Sequence, residues 1–341
     1  MALSVHIEKD FGAFSLRVDF DAENGPLALL GASGCGKSVT LKCIAGLMKP
    51  DRGTVVLDGV TLFDSAAKIN LPPQKRRVGY LFQSYALFPN MTVAQNIGAA
   101  VADRQARKTV VAEQLRRFRL EEAAELYPHQ LSGGQQQRTA LSRILASDPQ
   151  AILLDEPLSA LDSFLKQQLE AELAEMLERF HKTVVWVSHD RREVYRTCRS
   201  VCVLDRGRSQ PVRSMEDLFH DPQTRSAARL TGCENILDAE VRGTDVYLPQ
   251  WGVTLHCGQL VPPDTAAVGI RAGAVRLAAE ESVNTLPCRV VRRVADLHTD
   301  TAILSIREGS PLLRMEAARG TLPPVEHWQV SVSPEDILLL K

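Results

Sequence analysis

The sequence predicts an α/β fold with a phosphate-binding loop, followed by a smaller all-β domain. Three observations predict it. The stretch 31–38, GASGCGKS, fits the pattern G-x-x-x-x-G-K-[ST] between a short apolar run and a helical run. Later apolar runs end in polar or acidic residues, as strands of open parallel sheets do beside a ligand site. After about residue 232 the pattern changes to short strands separated by turns. A chain of 341 residues suits two such domains.

The glycine-rich loop is predicted to bind a nucleoside triphosphate. It follows a predicted buried strand, 26–30, and precedes a predicted helix, 39–45. Its backbone N–H groups and the helix dipole favour phosphate oxygens. Lys37 is expected to reach the β- and γ-phosphates, and Ser38 to offer a hydroxyl to Mg²⁺. The alternative, a chance match in a glycine-rich turn, is disfavoured by the flanking strand and helix. The predicted phosphate-loop residues are Gly31, Ala32, Ser33, Gly34, Cys35, Gly36, Lys37 and Ser38.

Cys35 lies among these N–H groups and close to Lys37. Such surroundings can lower the pKa of a thiol, so we expect a reactive cysteine or, as the alternative, a small residue that only fills the loop.

Composition limits the classes of function. Lys plus Arg number 40 and Asp plus Glu 41, so no global basic charge favours nucleic acid. The seven cysteines are scattered without metal-binding spacing and suggest reduced thiols in the cytosol. No apolar run approaches the ~18 residues of a membrane span, and charges at 8–10 interrupt any signal peptide. We therefore expect a peripheral role at any membrane.

The N-terminal segment predicts two antiparallel strands, 3–7 and 14–20, joined by a turn. Phe11 at the turn is expected to stack on the adenine ring, although Phe14 is also available and either ring can belong to the core. Further along, residues 91–127 are mostly helical in pattern and suggest an inserted helical subdomain at about 86–148.

Polar side chains end three predicted buried strands. Gln83 follows the strand 78–82, and its amide oxygen suits Mg²⁺ or the attacking water. Asp155 ends the strand 151–155 and suits Mg²⁺ coordination. Glu156 comes next and is expected to act as general base on water. His189 follows the strand 183–187 and is expected to bond the γ-phosphate or the attacking water, unless it is only a polar residue at a strand end.

A second anion-binding site is suggested before the helical run 136–146. Ser132, Gly133, Gly134 and Gln135 combine bare backbone donors, a hydroxyl and a helix N-terminus. The alternative, an ordinary helix cap with flexible glycines, is favoured when these residues are considered alone.

Together these stretches resemble the ATP-binding subunit of an ABC transporter. The matching stretches are GASGCGKS (Walker A), LFQ (Q-loop), LSGGQ (signature), AILLDEP (Walker B), SALD (D-loop) and VSHD (H-loop). The resemblance covers about the first 230 residues. It implies a RecA-like core with an inserted helical subdomain, ATP and Mg²⁺ as cofactors, and ATPase activity. It departs from the family at Val39, where Thr is usual but whose backbone can still donate to phosphate, and at Phe11, where Tyr or Trp is commoner.

The resemblance also implies partners. Family members form head-to-tail dimers, so Ser132 to Gln135 would face ATP held by the partner's loop, with Asp162 at the seam. An integral membrane permease is implied, with this protein peripheral at the cytoplasmic face of the membrane, and indirectly a periplasmic or extracellular solute-binding protein. A soluble ABC-type protein acting on nucleic acid or ribosomes is the rival, but it would usually carry coiled-coil insertions, tandem cassettes or basic arms, which this sequence lacks.

The domain boundary is predicted near 232, giving an ATP-binding domain, 1–232, and a β-rich domain, 233–341, of barrel or sandwich type. The stretches 284–291 and 270–272 resemble the regulatory (Mop/TOBE-like) domain of molybdate importers. Related sulfate, iron and sugar importers usually carry Arg-Pro-Glu where this chain has RAG at 271–273. The expected function is therefore ATP-driven molybdate import, with sulfate or thiosulfate, ferric iron and sugars as alternatives.

The β-rich domain is also a candidate sensor of the transported solute. A set of arginines can help to hold a molybdate dianion there, although each alone is more simply explained as a solvated residue on a strand face. If no anion binds, the domain is a dimerisation module. The arginines are Arg271, Arg289, Arg292 and Arg293.

Overall fold

The computed structural model describes residues 2–159, 163–279 and 282–341. The chain divides into two compact units, one ending at Met215 and the other spanning Glu216–Lys341. The division therefore falls earlier than the predicted boundary near 232. It does so because two short helices before the β-rich segment belong to the second unit.

The first unit is an α/β structure. Its strands are β1 (Leu3–Asp10), β2 (Ser15–Ala22), β3 (Gly25–Leu30), β4 (Arg52–Leu57), β5 (Val60–Asp64), β6 (Ile69–Asn70), β7 (Val78–Leu81), β8 (Ala151–Asp155), β9 (Thr183–Val187), β10 (Ser200–Asp205), β11 (Arg208–Ser209) and β12 (Arg213–Ser214). Its helices are α1 (Lys37–Ala45), α2 (Val93–Gly98), α3 (Arg107–Arg117), α4 (Gly133–Ala146), α5 (Ser163–Glu178) and α6 (Arg191–Thr197).

One continuous sheet organises this unit. Along the sheet the strand order is β6-β5-β4-β1-β2-β11-β10-β3-β9-β8-β7. The five strands β10, β3, β9, β8 and β7 are parallel, whereas β1, β2, β4 and β5 pair antiparallel. Strands β8 and β9 are buried along their whole length, which explains their continuous apolar sequences. The polar residues that follow β3, β7, β8 and β9 therefore collect at one edge of the sheet.

The predicted helical insertion is present and consists of short pieces. Helices α2 and α4 pack together with α3 around a small apolar cluster that includes Val93, Ile97 and Leu120. Thr92 and Gln95 form a capping box at the start of α2, because each side chain bonds the other residue's backbone N–H. Among the described residues, no helix is long and apolar enough to cross a membrane.

The second unit begins with two short helices and continues as β structure. The helices are α7 (Met215–His220), whose first residue closes the first unit, and α8 (Arg225–Leu230). The strands are β13 (Asn235–Asp238), β14 (Glu240–Arg242), β15 (Asp245–Leu248), β16 (Val253–His256), β17 (Ala267–Ile270), β18 (Val275–Leu277), β19 (Thr285–Ala295), β20 (Thr299–Ser305), β21 (Leu313–Ala318), β22 (His327–Val332) and β23 (Ile337–Leu340).

These strands form three small sheets that share one core. Their orders are β13-β17-β23, β14-β15-β16 and β18-β22-β19-β20-β21. The core includes Leu248, Trp251, Leu304 and Trp328. The barrel-like arrangement confirms the predicted all-β domain.

Candidate functional site

The glycine-rich loop connects β3 to α1 at the edge where the parallel strands end. Gly34 and Gly36 have positive φ angles of 77° and 108°, a backbone conformation that side chains disfavour. A Cβ at Gly36 would lie 2.5 Å from Leu16 Cδ1. The sequence thus has glycine where the chain must turn left-handed and pack closely, which leaves the loop backbone free to surround an anion.

Lys37 is held inside the loop. Its Nζ donates to the carbonyl oxygens of Gly31 and Ala32 at 2.8 and 2.9 Å, and its side chain is only 7% exposed. The ammonium group therefore lies where a phosphate chain wrapped by the loop would pass. A cavity of about 560 Å³ borders the loop and is large enough for the triphosphate chain of a nucleoside triphosphate.

Ser38, Asp155 and Tyr80 form a hydrogen-bonded group behind the loop. Ser38 Oγ donates to Asp155 Oδ1 at 2.8 Å, and the Tyr80 hydroxyl donates to Asp155 Oδ2 at 2.8 Å. Burial, and then the neighbouring carboxylate, raise the pKa of Tyr80, so the hydroxyl remains a donor. A serine hydroxyl beside a carboxylate is the hard oxygen pair that Mg²⁺ prefers, and the site fits that ion.

Glu156, Gln83 and His189 converge next to the cavity. His189 Nδ1 lies 3.5 Å from Glu156 Oε2, and Gln83 Nε2 donates to the same oxygen at 3.4 Å. Glu156 adopts a left-handed backbone with φ 50°, fixed by its N–H donating to the Val187 carbonyl at 3.0 Å. Three of the predicted catalytic side chains are thus brought together from the ends of β7, β8 and β9. Gln83 presents its amide nitrogen here, and the Mg²⁺ role of its amide oxygen stays a prediction.

Both candidate aromatic residues border the cavity. Phe11 is 45% exposed, whereas Phe14 is partly buried and packs against the core. Phe11 is therefore the more accessible ring, with the Lys9 ammonium 5.8 Å from its centroid. Val39 also lines the cavity, at the first turn of α1. Stacking of Phe11 on adenine stays a prediction.

The expectation of a lowered thiol pKa at Cys35 is wrong. Burial raises the pKa of Cys35, and the nearby Lys37 ammonium only offsets part of that effect. The side chain is 5% exposed, and its sulfur lies 2.5 Å from where a Cβ on Gly31 would be. Cys35 therefore fills space under the loop, which was the alternative reading of the sequence.

Residues 132–135 form the N-terminus of α4. Ser132 Oγ accepts from the Gln135 N–H at 3.3 Å, while Gln135 Oε1 accepts from the Ser132 N–H at 2.9 Å. Ser132 and Gly133 are exposed and Gly134 is buried. This capping box uses the serine as the helix cap, and contact with ATP across a dimer stays a prediction. Asp162, also predicted at that seam, lies outside the described residues.

The four arginines of the second unit differ in their contacts and in the face of the sheet on which they lie. Arg271 donates through both terminal nitrogens to carbonyl oxygens of Thr231 and Phe219, so its guanidinium is occupied. A register shift in β19 places Arg289 and Arg292 on one face of the sheet. Arg293 lies on the opposite face, with its guanidinium carbon 5.1 Å from the Trp328 ring centroid. Arg289 and Arg292 are thus the pair that shares a face, and binding of a dianion by any of these arginines stays a prediction.

Sequence reasoning missed two groups near the site. Tyr80 contacts Asp155, as described above, but nothing in the sequence distinguishes it from other core aromatics. Lys166 of α5 lies 2.8 Å from Asp190 Oδ2 and 2.6 Å from Glu193 Oε1, on either side of the start of α6. Ser188 Oγ donates to Glu193 Oε2 at 2.6 Å. This network holds the segment that carries His189, and only the fold brings Lys166 to it.

Comparison with known proteins agrees with this geometry. A family model described as ABC transporter matches residues 17–159. The putrescine transport ATP-binding protein PotG of Escherichia coli (strain K12) is 40% identical over 219 residues, covering 63% of this chain and 56% of that protein. The probable sulfate/thiosulfate import ATP-binding protein CysA of Chlorella vulgaris is 38% identical over 234 residues, covering 67% and 97%. The sulfate/thiosulfate import ATP-binding protein CysA of Gloeobacter violaceus is 36% identical over 286 residues, covering 80% and 78%.

A solved structure is similar as well. The ATP-binding cassette MJ0796, in a dimeric post-hydrolysis state bound to ADP and Pi, matches with TM-score 0.53 and 29% identity over 63% of this chain and 99% of that chain. The chain spans less than two thirds of the length of the polyamine-transport relatives PotG and PotA. By its phosphate loop, its fold and these relatives, the chain belongs to the ABC transporter family as an ATP-binding protein whose cofactors are ATP and Mg²⁺.

Proposed function

We propose that this protein is the ATP-hydrolysing subunit of an importer, dimerises head to tail, and drives uptake of an oxyanion through a membrane permease. The observation that carries the proposal is the position of Glu156. Its carboxylate borders the loop cavity, only 26% exposed, with His189 and Gln83 on the same oxygen. A carboxylate so placed suits proton abstraction from water beside a phosphate.

The mechanism follows from the residues that surround the cavity. Lys37 and the loop N–H groups bind the β- and γ-phosphates, while Ser38 and Asp155 hold Mg²⁺. When bound, Mg²⁺ neutralises charge that develops on the phosphate oxygens. Glu156 accepts a proton as the oxygen of water attacks the γ-phosphorus, and the bond to the ADP oxygen breaks. Gln83 donates to Glu156 and orients it for this step, while His189 lies 3.5 Å from the same carboxylate oxygen.

A head-to-tail dimer would complete the site. The N-terminus of α4 offers the N–H groups of Gly133 and Gly134 beside an exposed Ser132. A helix N-terminus of this kind attracts phosphate. The similarity to a cassette solved as a dimer with ADP and Pi supports this arrangement. We place the dimer at the cytoplasmic face of the membrane, bound to its integral permease, with the solute-binding protein acting from the opposite side.

The extent of the matches to similar proteins bears on which solute is transported. The match to the Gloeobacter sulfate/thiosulfate protein covers 80% of the chain. Because the first unit holds fewer than two thirds of the residues, that match extends into the second unit. The matches to the polyamine proteins cover 63–69% of the chain. Oxyanions are therefore favoured over polyamines, with sulfate or thiosulfate supported by relatives and molybdate by the predicted resemblance of the second unit.

The test is transport-coupled ATPase activity of the full-length protein. The protein would be reconstituted in vesicles with the permease encoded beside it, and sulfate, thiosulfate, molybdate and putrescine added with the cognate binding protein. We expect stimulation by an oxyanion and none by putrescine. Stimulation by putrescine alone would overturn the oxyanion proposal, and ATPase activity that no permease affects would overturn the transport role.

We also propose a regulatory oxyanion site in the second unit, on the face of the β-sheet that carries Arg289. Arg289 pairs with His327 on one side and Ser305 on the other, so all three share a face and border a groove of about 510 Å³. If molybdate or sulfate inhibits the reconstituted ATPase, Arg289→Ala should weaken that inhibition while Arg292→Ala, outside the groove lining, should not. Equal inhibition of all three proteins would leave this face without a sensor role.

A further inference from the structure

The Tyr80 hydroxyl reaches Asp155 because of the register of two parallel strands. Tyr80 of β7 lies opposite Leu153 of β8. Asp155 is two residues beyond Leu153 and therefore points to the same face of the sheet. A diagonal neighbour at this spacing lies within reach of a long aromatic side chain. The hydroxyl accordingly donates to Asp155 Oδ2 at 2.8 Å.

The tyrosine ring is held firmly, so the hydroxyl is positioned before any ligand binds. Tyr80 is buried, and its ring centroid lies 4.4 Å from that of Phe82 with an interplanar angle of 39°. Little side-chain entropy remains to be lost, which favours a fixed hydrogen bond.

Each oxygen of the Asp155 carboxylate therefore accepts a hydrogen bond from a different donor. Oδ2 accepts from Tyr80 and Oδ1 accepts from Ser38, each at 2.8 Å. Asp155 is itself buried, so both bonds are made to a charge that is largely removed from water. With Oδ2 occupied, Oδ1 is the oxygen left beside the serine hydroxyl at the end of the phosphate loop.

We propose that Tyr80 is a positioning residue for Mg²⁺: its hydroxyl holds Asp155 so that Oδ1, together with Ser38, is presented to the ion. Partners of this kind orient a ligand and raise metal affinity without touching the metal, and losing one typically costs about 10- to 100-fold in metal affinity. The inference rests on the proposed Mg²⁺ role of Asp155 and Ser38. A purely structural tyrosine would change stability but not the dependence on Mg²⁺.

The test is ATP binding as a function of Mg²⁺ concentration, measured by calorimetry on the full-length protein. Tyr80→Phe removes only the hydroxyl and keeps the ring. We expect the Mg²⁺ concentration that half-saturates the enhancement of ATP binding to rise about 10-fold or more. ATP binding without Mg²⁺ should stay within about twofold, because Lys37 and the loop are unchanged.

The chain offers a matched control. Tyr85 is also buried, and in the part of the chain that the structure describes its hydroxyl has no hydrogen-bond partner. Tyr85→Phe removes the same group from a comparable environment and should leave the Mg²⁺ dependence unchanged. A double change, Tyr80→Phe with Asp155→Asn, should shift the Mg²⁺ dependence no further than Asp155→Asn alone.

The outcomes separate the two claims. If Asp155→Asn binds ATP with the Mg²⁺ dependence of the unchanged protein, the assigned Mg²⁺ role of Asp155 fails. If Asp155→Asn shifts that dependence but Tyr80→Phe does not, only the inference about Tyr80 is overturned. The inference is also overturned if Tyr80→Phe weakens ATP binding equally with and without Mg²⁺, since that would indicate a structural role.

Discussion

Arg76 gives the sharpest test of how the helix behind the phosphate loop is held. Its side chain is 1% exposed, and its guanidinium donates to the carbonyl oxygens of Cys43 and Ile44 at 2.9 and 2.8 Å. These are among the last carbonyls of α1, which have no partner within the helix. Gly46 follows them with φ 78°, and a Cβ there would lie 2.5 Å from Arg76 Nε. Further bonds go to the Leu71 carbonyl and to Asn70 Oδ1.

The change Arg76→Met would remove this donor from all of its acceptors, of which the Cys43 carbonyl keeps a bond from the Gly46 N–H at 3.2 Å. A buried acceptor left without its hydrogen bond costs about 1–3 kcal/mol, and Arg76 serves several such acceptors. We therefore expect Arg76→Met to lower the free energy of unfolding of the first unit by about 3–5 kcal/mol. For a domain of this size that corresponds to a fall in Tm of roughly 6–20 °C.

The assay is differential scanning calorimetry of the full-length protein, with Arg77→Met as the matched control. Arg77 is the next residue, and its exposed guanidinium bonds Asp148 at 3.0 Å. An exposed ion pair contributes about 0–1 kcal/mol, so the control should shift Tm by only a few degrees. Equal shifts for the two variants would refute the role given to Arg76.

Three other predictions follow from the same structure. Because burial raises the pKa of Cys35, alkylation of this residue in the native protein should be slow near pH 7 and accelerate as the pH rises. Peptide mass spectrometry can follow the modification, and rapid modification at pH 7 would contradict this prediction. Burial alone would raise the pKa of Asp190, but hydrogen bonds from Lys166 and from the Arg192 amide lower it. The stabilisation contributed by Asp190 is therefore present above about pH 3.8 and is lost as the pH falls through the lowered pKa. Lys166→Met should therefore flatten the fall in the free energy of unfolding in acid, and an unchanged slope would argue against the network. Gly36→Ala should lower the affinity for ATP, measured by calorimetry, by at least about 10-fold, because the φ of 108° and the contact with Leu16 exclude a Cβ. Near-normal binding would show that the loop can rearrange.

The strands that carry the site could be predicted closely from sequence. The runs 151–155 and 183–187 are predicted and observed as β8 and β9 with the same bounds. They are buried on both faces, so their apolar sequences are continuous and their ends are marked by polar residues. The predicted helix at 136 begins at Gly133 instead, because the capping box of Ser132 and Gln135 extends it.

Features that depend on contacts between distant segments could not be predicted. The β-bulge between Val290 and Arg292 determines which arginines share a face, and a shift of one residue reverses that assignment. Arg76 reads in the sequence as one of several exposed basic residues at 75–77, yet the fold buries it against α1. The contact of Tyr80 with Asp155 depends on the pairing of β7 with β8, which joins residues 75 positions apart.

The central claim, that Glu156 is the general base of an ATPase at this loop, is tested most directly by single-turnover hydrolysis with Glu156→Gln. The variant keeps Lys37, Ser38 and the loop backbone, so ATP with Mg²⁺ should still bind. Hydrolysis should fall by about 10²- to 10⁴-fold, and a dimer with bound ATP should accumulate on size-exclusion chromatography. Hydrolysis at a near-normal rate in a protein that binds ATP normally would contradict the account.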